Sequence, residues 1–172
     1  MIKIAHSDDI LCYLDFDGVL HDDEVYFDAR RGIYLDVPGR SLFEWAHILE
    51  ELFLPYPETK IVLSTSWVRM KSFHFAKTHL PVELQRHVIG ATYHRREMID
   101  SVFDQKSRGH QVWSDVLRRK AMRWFAIDND DSRWPKQCRE DLILTDDRMG
   151  VSDTAVQQQI ADRLAKISGR FD

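Results

Sequence analysis

The chain alternates short apolar runs with longer stretches in which apolar residues recur at helical spacing. Continuous apolar runs bounded by polar residues are typical of strands that are buried on both faces of a sheet. Five such runs predict strands at 10–14, 60–63, 88–91, 124–127 and 142–144. Because helical stretches separate them, the pattern predicts an α/β fold with a five-stranded parallel sheet covered on both faces.

The stretches between the strands predict helices and one hairpin. Helical spacing predicts helices at 41–53, 68–79, 82–87, 108–121 and 152–167. Ser41 and Glu44 have the spacing of a capping box at the start of the first helix. Two aromatic-aliphatic runs around a charged turn predict a hairpin flap at 25–37. Residues 1–9 are interpreted as an edge extension of the first strand, and 93–107 as a loop or frayed helix.

Composition and charge limit the domain size, the partners and the location that we expect for this chain. With 172 residues, of which 44% are hydrophobic, the chain has the size of one domain, predicted to span 1–172. The net charge of −4 gives no general attraction to nucleic acid, so any such contact has to come from a local patch. The cysteines Cys12 and Cys138 form no paired motif, and no apolar run is long enough to cross a membrane. The expected location is the cytoplasm, without a membrane partner.

Two carboxylates follow the first strand directly. Asp15 and Asp17 stand two residues apart, and Gly18 then allows a sharp turn. In an open α/β sheet, ligands bind beyond the carboxyl ends of the strands. Neighbouring carboxylates repel each other, and Mg²⁺ is a cation that would neutralise them. The alternative is a turn in which either side chain only caps a helix or binds its own backbone.

The run Asp-Phe-Asp-Gly-Val-Leu at 15–20 resembles the first motif of the haloacid dehalogenase superfamily, Asp-x-Asp-Gly-[Thr/Val]-Leu. Three further motifs of that superfamily are met in order. Ser64 follows the second strand, Arg108 opens a helix with Lys106 as the alternative cation, and Asp128 follows the fourth strand. The resemblance implies a three-layer Rossmann-like haloacid dehalogenase fold with strand order 5-4-1-2-3.

The resemblance also implies roles for the acidic residues. Asp15 would attack phosphorus to form an aspartyl phosphate, and Asp17 would act as general acid and base. Mg²⁺ would be held by Asp15, the backbone carbonyl of Asp17 and Asp128. The expected activity is therefore that of a Mg²⁺-dependent phosphatase.

Substrate contacts are implied in the same way. Ser64 and Thr65 are expected to bind phosphoryl oxygens, and Arg108 is expected to balance the phosphoryl charge. Arg at the third motif replaces the commoner Lys and changes the geometry of the cation. At the fourth motif Asn129 stands where a second acid is common, so Asp130 or Asp131 is a candidate for the outer-shell role.

A narrower resemblance concerns the haloacid dehalogenase domains of Swiss Army Knife RNA repair proteins. The phrases that carry it include Leu-Asp-Phe-Asp-Gly-Val-Leu-His at 14–21, Leu-Ser-Thr-Ser-Trp at 63–67 and Ile-Asp-Asn-Asp at 127–130. It suggests a nucleic-acid end or a nucleotide as the phosphorylated substrate. The gaps that hold cap domains in the superfamily are short here, so we expect an open cleft. Such a cleft suits a large substrate such as a nucleic-acid end or a phosphoprotein, or it is completed by a neighbouring subunit.

Two features near the cleft have competing interpretations. Tyr26, Phe27 and Tyr34 on the hairpin could stack a base, although ordinary cross-strand packing also explains them. None of the eight histidines has zinc-ligand spacing, and His21 is the one with a place beside the proposed chemistry. Alternatives to the phosphatase are a non-catalytic phosphate or nucleic-acid binding module and a dehalogenase, which would not need Asp17.

Overall fold

The computed structural model describes residues 9–95 and 98–169, and the prediction for 1–9 lies almost entirely outside them. A five-stranded parallel sheet forms its centre. The strands of this sheet are β1 (Ile10–Leu14), β4 (Thr59–Leu63), β5 (Val88–Ala91), β6 (Trp124–Asp128) and β7 (Leu142–Leu144). Their order is β5-β4-β1-β6-β7, which is the implied order 5-4-1-2-3 when only these five strands are counted. The predicted α/β architecture is confirmed.

Helices cover both faces of the sheet. They are α1 (Ala46–Phe53), α2 (Ser66–Met70), α3 (Phe73–His79), α4 (Val82–His87), α5 (Asp100–Asp104), α6 (Arg108–Arg119) and α7 (Thr154–Ser168). Side chains of β1 alternate between the two faces because successive strand residues point in opposite directions. Ile10, Cys12 and Leu14 join the core that includes residues of α1 and α7, whereas Leu11 and Tyr13 join the core under α6. Both cysteines are buried free thiols.

The predicted hairpin is present. Strands β2 (Val25–Asp28) and β3 (Gly32–Leu35) pair in antiparallel register. Val25 and Ile33 pack against the main core, which anchors the hairpin to the domain. Between β5 and α6 the described chain contains only the short helix α5, so this gap holds no large cap.

Two predicted helices have different bounds in the structure. The predicted helix 41–53 begins only at Ala46, because Phe43 adopts a left-handed backbone conformation with φ of 60°. The predicted helix 68–79 is divided into α2 and α3. The division falls at Ser72, whose hydroxyl accepts the Phe75 N–H and starts a new helix. No helix among residues 9–95 and 98–169 has the length and apolar character needed to span a bilayer.

Candidate active site

The register of the sheet brings three polar residues to one edge. Leu14, the last residue of β1, pairs with Leu63 of β4 and with Ile127 of β6. The residues that come next along each chain segment are Asp15, Ser64 and Asp128. They therefore lie side by side at the carboxyl end of the sheet, where ligands bind in open α/β folds.

Arg108 joins this group from the first position of α6. Its Nη2 lies 3.5 Å from Asp15 Oδ2, and its Nε lies 3.5 Å from Asp128 Oδ2. Its Nη1 donates to the backbone carbonyl of Ser64. Burial disfavours the charged guanidinium, but the surrounding carboxylates outweigh this effect and raise the pKa of Arg108. Lys106, the alternative cation, is exposed and donates instead to Ser114 Oγ at 3.1 Å.

Two buried carboxylates share the single guanidinium. Asp15 is 6% exposed and Asp128 is 0% exposed. Burial raises the pKa of Asp15, Arg108 lowers it, and Asp17 raises it. Burial also raises the pKa of Asp128, and the charge of Asp15 adds to this increase. The site therefore contains more carboxyl groups than the Arg108 cation can neutralise when they are ionised.

The donor atoms of this cluster suit a hard cation. Asp128 Oδ2 is buried and accepts no hydrogen bond, whereas Oδ1 accepts the Asp130 N–H at 3.0 Å. Within the described residues no three acidic, histidine or cysteine side chains are grouped closely enough to hold a metal by themselves. Mg²⁺ commonly uses one or two protein carboxylates together with waters and substrate oxygens. Two carboxylates with an unsatisfied oxygen therefore fit Mg²⁺ without a third acid.

Ser64 and Thr65 differ in what their hydroxyls contact. Ser64 is 1% exposed, and its Oγ has no hydrogen-bond partner in the structure. An unsatisfied buried hydroxyl beside Asp15 is suited to a phosphoryl oxygen. Thr65 Oγ1 accepts the Trp67 N–H at the start of α2, and the Thr65 hydroxyl lowers the pKa of Asp15. Thr65 thus supports Asp15, and its expected contact with substrate stays a prediction.

Asp17 is held from two sides. His21 Nε2 lies 3.1 Å from Asp17 Oδ1, and Trp67 Nε1 donates to Oδ1 at 3.0 Å and to Oδ2 at 3.2 Å. His21 and Trp67 are both completely buried, while the Asp17 side chain is 22% exposed. Asp17 is therefore the partly accessible member of a buried polar group.

The residues after Asp128 have separate local contacts. Asp130 supplies its N–H to Asp128, and Asp131 forms a surface ion pair with Arg139. Asn129 donates to Asp147 Oδ1 at 2.9 Å. The ion pair leaves Asp131 the poorer of the two candidates for the outer-shell role.

Sequence reasoning missed two members of the site region. Trp67 has no predicted role, because its indole N–H contact with Asp17 depends on side-chain packing that no spacing rule predicts. Asp147 was not considered, although it follows the fifth strand of the sheet. Burial, Asp147 and the other carboxylates nearby raise the pKa of Asp23 to about 6. The carboxylate cluster therefore extends beyond the predicted residues.

The hairpin aromatics show the predicted cross-strand packing at one pair and an exposed ring at Phe27. Tyr26 and Tyr34 form a cross-strand pair with ring centroids 6.1 Å apart, which supports ordinary packing. Phe27 is 53% exposed, and Lys71 Nζ lies 3.6 Å from its ring centroid. The stacking of a base on this hairpin stays a prediction.

Comparison with known proteins identifies the family. Residues 11–156 match the family described as the HAD domain in Swiss Army Knife RNA repair proteins, where HAD stands for haloacid dehalogenase. No curated protein and no solved structure shows significant similarity to the chain. The match includes all four motifs and every residue of the cluster around Arg108. The chain therefore belongs to the haloacid dehalogenase domain family of Swiss Army Knife RNA repair proteins.

Proposed function

We propose that the protein is a Mg²⁺-dependent phosphomonoester hydrolase that acts through an aspartyl-phosphate intermediate. The observation that carries this proposal is the aligned group Asp15, Ser64 and Asp128 with Arg108 in contact with all three. This group combines a buried carboxylate nucleophile, a free hydroxyl and a cation at one sheet edge. Phosphoryl transfer needs mainly such positioning and charge stabilisation.

In the first step a carboxylate oxygen of Asp15 attacks phosphorus, and the bond between phosphorus and the leaving oxygen breaks. The leaving oxygen keeps the bonding electron pair and takes a proton from Asp17. Ser64 Oγ donates to a phosphoryl oxygen, and Arg108 offsets the negative charge of the phosphoryl group. Bound Mg²⁺, held by Asp15, Asp128 and the Asp17 carbonyl, would reduce repulsion between the nucleophile and the phosphate.

In the second step water hydrolyses the aspartyl phosphate. Asp17, now deprotonated, takes a proton from the water as its oxygen bonds to phosphorus. The bond between phosphorus and the Asp15 oxygen breaks, and the electron pair returns to the carboxylate. The products are inorganic phosphate and the free alcohol, and both aspartates return to their original protonation states.

For the substrate we propose a phosphorylated nucleic-acid end. The family is named for domains of RNA repair proteins, which supports a substrate of this class. The short segment between β5 and α6 supports it too, because a cleft without a large cap admits a polymer end. The exposed ring of Phe27 beside Lys71 offers apolar and cationic contacts of the kind that single strands use.

The test is phosphate release with Mg²⁺ and with EDTA. The substrates are an aryl phosphate and oligonucleotides that carry a phosphate at the 3′ or the 5′ end. Asp15→Asn should abolish release, whereas Asp162→Asn, the same change at an exposed residue of α7, should leave the rate unchanged. Release from one oligonucleotide end supports the proposed substrate, and release from the aryl ester alone supports only the phosphatase. Absence of release from all three would instead favour a binding module, and release in EDTA would contradict the Mg²⁺ requirement.

A further inference from the structure

We infer that His21 is a positioning residue that holds the carboxyl group of Asp17 so that Oδ2, rather than Oδ1, carries the transferred proton. This inference rests on the proposed function, because it assigns the support of the proposed general acid and base. It starts from a contact that the proposed mechanism does not use. The His21 ring is completely buried, and its two nitrogens have different partners.

The first partner fixes the tautomer of the ring. The backbone N–H of Phe43 donates to His21 Nδ1 at 3.2 Å. Since a backbone amide nitrogen can only donate, Nδ1 must accept and carries no proton. In the neutral ring the proton is then on Nε2, which donates to Asp17 Oδ1 at 3.1 Å. The hydrogen-bond network therefore assigns the donor that His21 presents to Asp17.

The backbone at Phe43 is arranged for this contact. Its φ of 60° is uncommon for a residue with a bulky side chain. Its ring packs edge-on against the rings of Phe16 and Trp67, with centroids 5.1 Å and 5.4 Å away. The same packing places the Phe43 ring 4.9 Å from His21. The ring cluster thus holds the amide and the imidazole together, and the unusual backbone directs the N–H to Nδ1.

Trp67 is the second donor to the Asp17 carboxyl group, and its shorter contact is with the same oxygen, Oδ1, that His21 contacts. Trp67 Nε1 donates to Asp17 Oδ1 at 3.0 Å, and its contact with Oδ2 is longer at 3.2 Å. A carboxyl oxygen has two lone pairs, so Oδ1 is saturated by His21 and Trp67. Only Oδ2 retains room for a proton. His21 and Trp67 together therefore fix both the orientation of Asp17 and the oxygen that exchanges the proton.

The experiment compares phosphate esters whose leaving groups depend to different degrees on protonation by Asp17. A phenolate is a poor leaving group that needs protonation, whereas a dinitrophenolate leaves without it. The assay measures kcat/KM for phenyl, 4-nitrophenyl and 2,4-dinitrophenyl phosphate, because kcat/KM reports formation of the aspartyl phosphate. His21→Phe keeps a ring in the cluster but removes both nitrogens. We expect it to lower kcat/KM for phenyl phosphate by about 10- to 100-fold, and for the dinitrophenyl ester by less than about 3-fold.

Three variants separate positioning from a general loss of structure. His21→Gln keeps an acceptor and a donor in one side chain and should recover most of the loss on phenyl phosphate. Trp67→Phe removes the other donor and should reproduce the same leaving-group dependence, which also tests the inference if His21→Phe fails to fold. His87→Gln is the matched control, because that histidine contacts the Thr59 carbonyl at the start of β4, and it should change nothing.

A spectroscopic measurement tests the assignment without any turnover. Nitrogen-15 NMR of the histidine rings should show His21 as the neutral tautomer with its proton on Nε2. A proton on Nδ1 would overturn the inference, as would equal losses by His21→Phe on all three esters while Asp15→Asn is inactive. If the wild-type protein releases phosphate from none of these esters and from neither oligonucleotide end, the proposed phosphatase fails, and the role of His21 fails with it.

Discussion

Two buried aspartates should respond to the same substitution with opposite signs. Asp115 and Asp128 are both 0% exposed. The Asp115 carboxylate accepts from the Tyr13 hydroxyl at 3.0 Å, from Arg119 Nε at 2.6 Å and from Arg118. Asp128 has one unsatisfied oxygen and shares its cation with Asp15. Asp115 is a fully compensated buried charge, and Asp128 is not.

The expected magnitudes follow from this difference. In EDTA, Asp128→Asn removes a buried charge with an unsatisfied acceptor, which costs about 1–3 kcal/mol in the wild-type protein. The variant should therefore be more stable, with a melting temperature a few degrees higher. Asp115→Asn leaves two arginines without their shared carboxylate and should lower the free energy of unfolding by about 3–5 kcal/mol.

Magnesium should reverse the order of the wild type and Asp128→Asn. A ligand at 1,000 times its Kd stabilises the folded state by about 4.1 kcal/mol, which exceeds the variant's advantage of about 1–3 kcal/mol, and this gain requires the intact site. Thermal unfolding followed by circular dichroism, with EDTA and across a Mg²⁺ titration, measures both effects. The reasoning is refuted if Asp128→Asn is less stable than wild type in EDTA, or if Mg²⁺ raises the melting temperatures of both proteins equally.

Three further changes have defined outcomes. Burial and Asp147 raise the pKa of Asp23 to about 6, so ionised Asp23 lowers stability progressively as the pH rises from about 4, its unfolded pKa, and fully above about 6. Asp147→Asn should therefore stabilise the protein at pH 8 in EDTA, as measured by urea denaturation. This gain should disappear as the pH falls below about 4, where an ordinary aspartate becomes protonated. Gly109→Ala places a Cβ 2.6 Å from the Trp134 ring and should cost about 1–3 kcal/mol, also measured with urea; an unchanged midpoint would contradict this packing. Arg108→Lys keeps the charge but loses the forked contacts, so kcat should fall by about 10- to 100-fold, and a rate equal to wild type would show that charge alone suffices.

Much of the fold could be predicted because its signals are local. The apolar run of β1 and the carboxylates behind it are continuous in sequence, and the resemblance supplied the strand order. The start of α1 was predicted wrongly because Ser41 and Glu44 have capping-box spacing, whereas ring packing fixes Phe43 in a left-handed conformation that no capping signal reports. Spacing rules use only residues that are close in sequence, so they cannot predict such tertiary contacts.

The candidate site also combines residues that the sequence predicts with a contact that it does not predict. Asp15, Asp17, Ser64, Arg108 and Asp128 each follow or open an element that the sequence marks, so their convergence could be expected. The contact between Trp67 and Asp17 joins residues 50 positions apart and depends on a rotamer. Hydrophobic patterns predict the backbone register of the sheet, whereas the direction of a single side-chain N–H depends on packing in the folded interior.

The anchoring of the candidate nucleophile in the sheet has a consequence for local unfolding. The N–H of Asp15 donates to the Ile127 carbonyl, and the N–H of Ser64 donates to the Leu14 carbonyl. Amides in the central strands of a sheet exchange with solvent only in the rarest openings, whereas peripheral segments open more often. Hydrogen exchange at these two amides should therefore be among the slowest in the molecule. Heating or denaturant would then loosen the hairpin and α5 long before the candidate catalytic residues at the sheet edge separate.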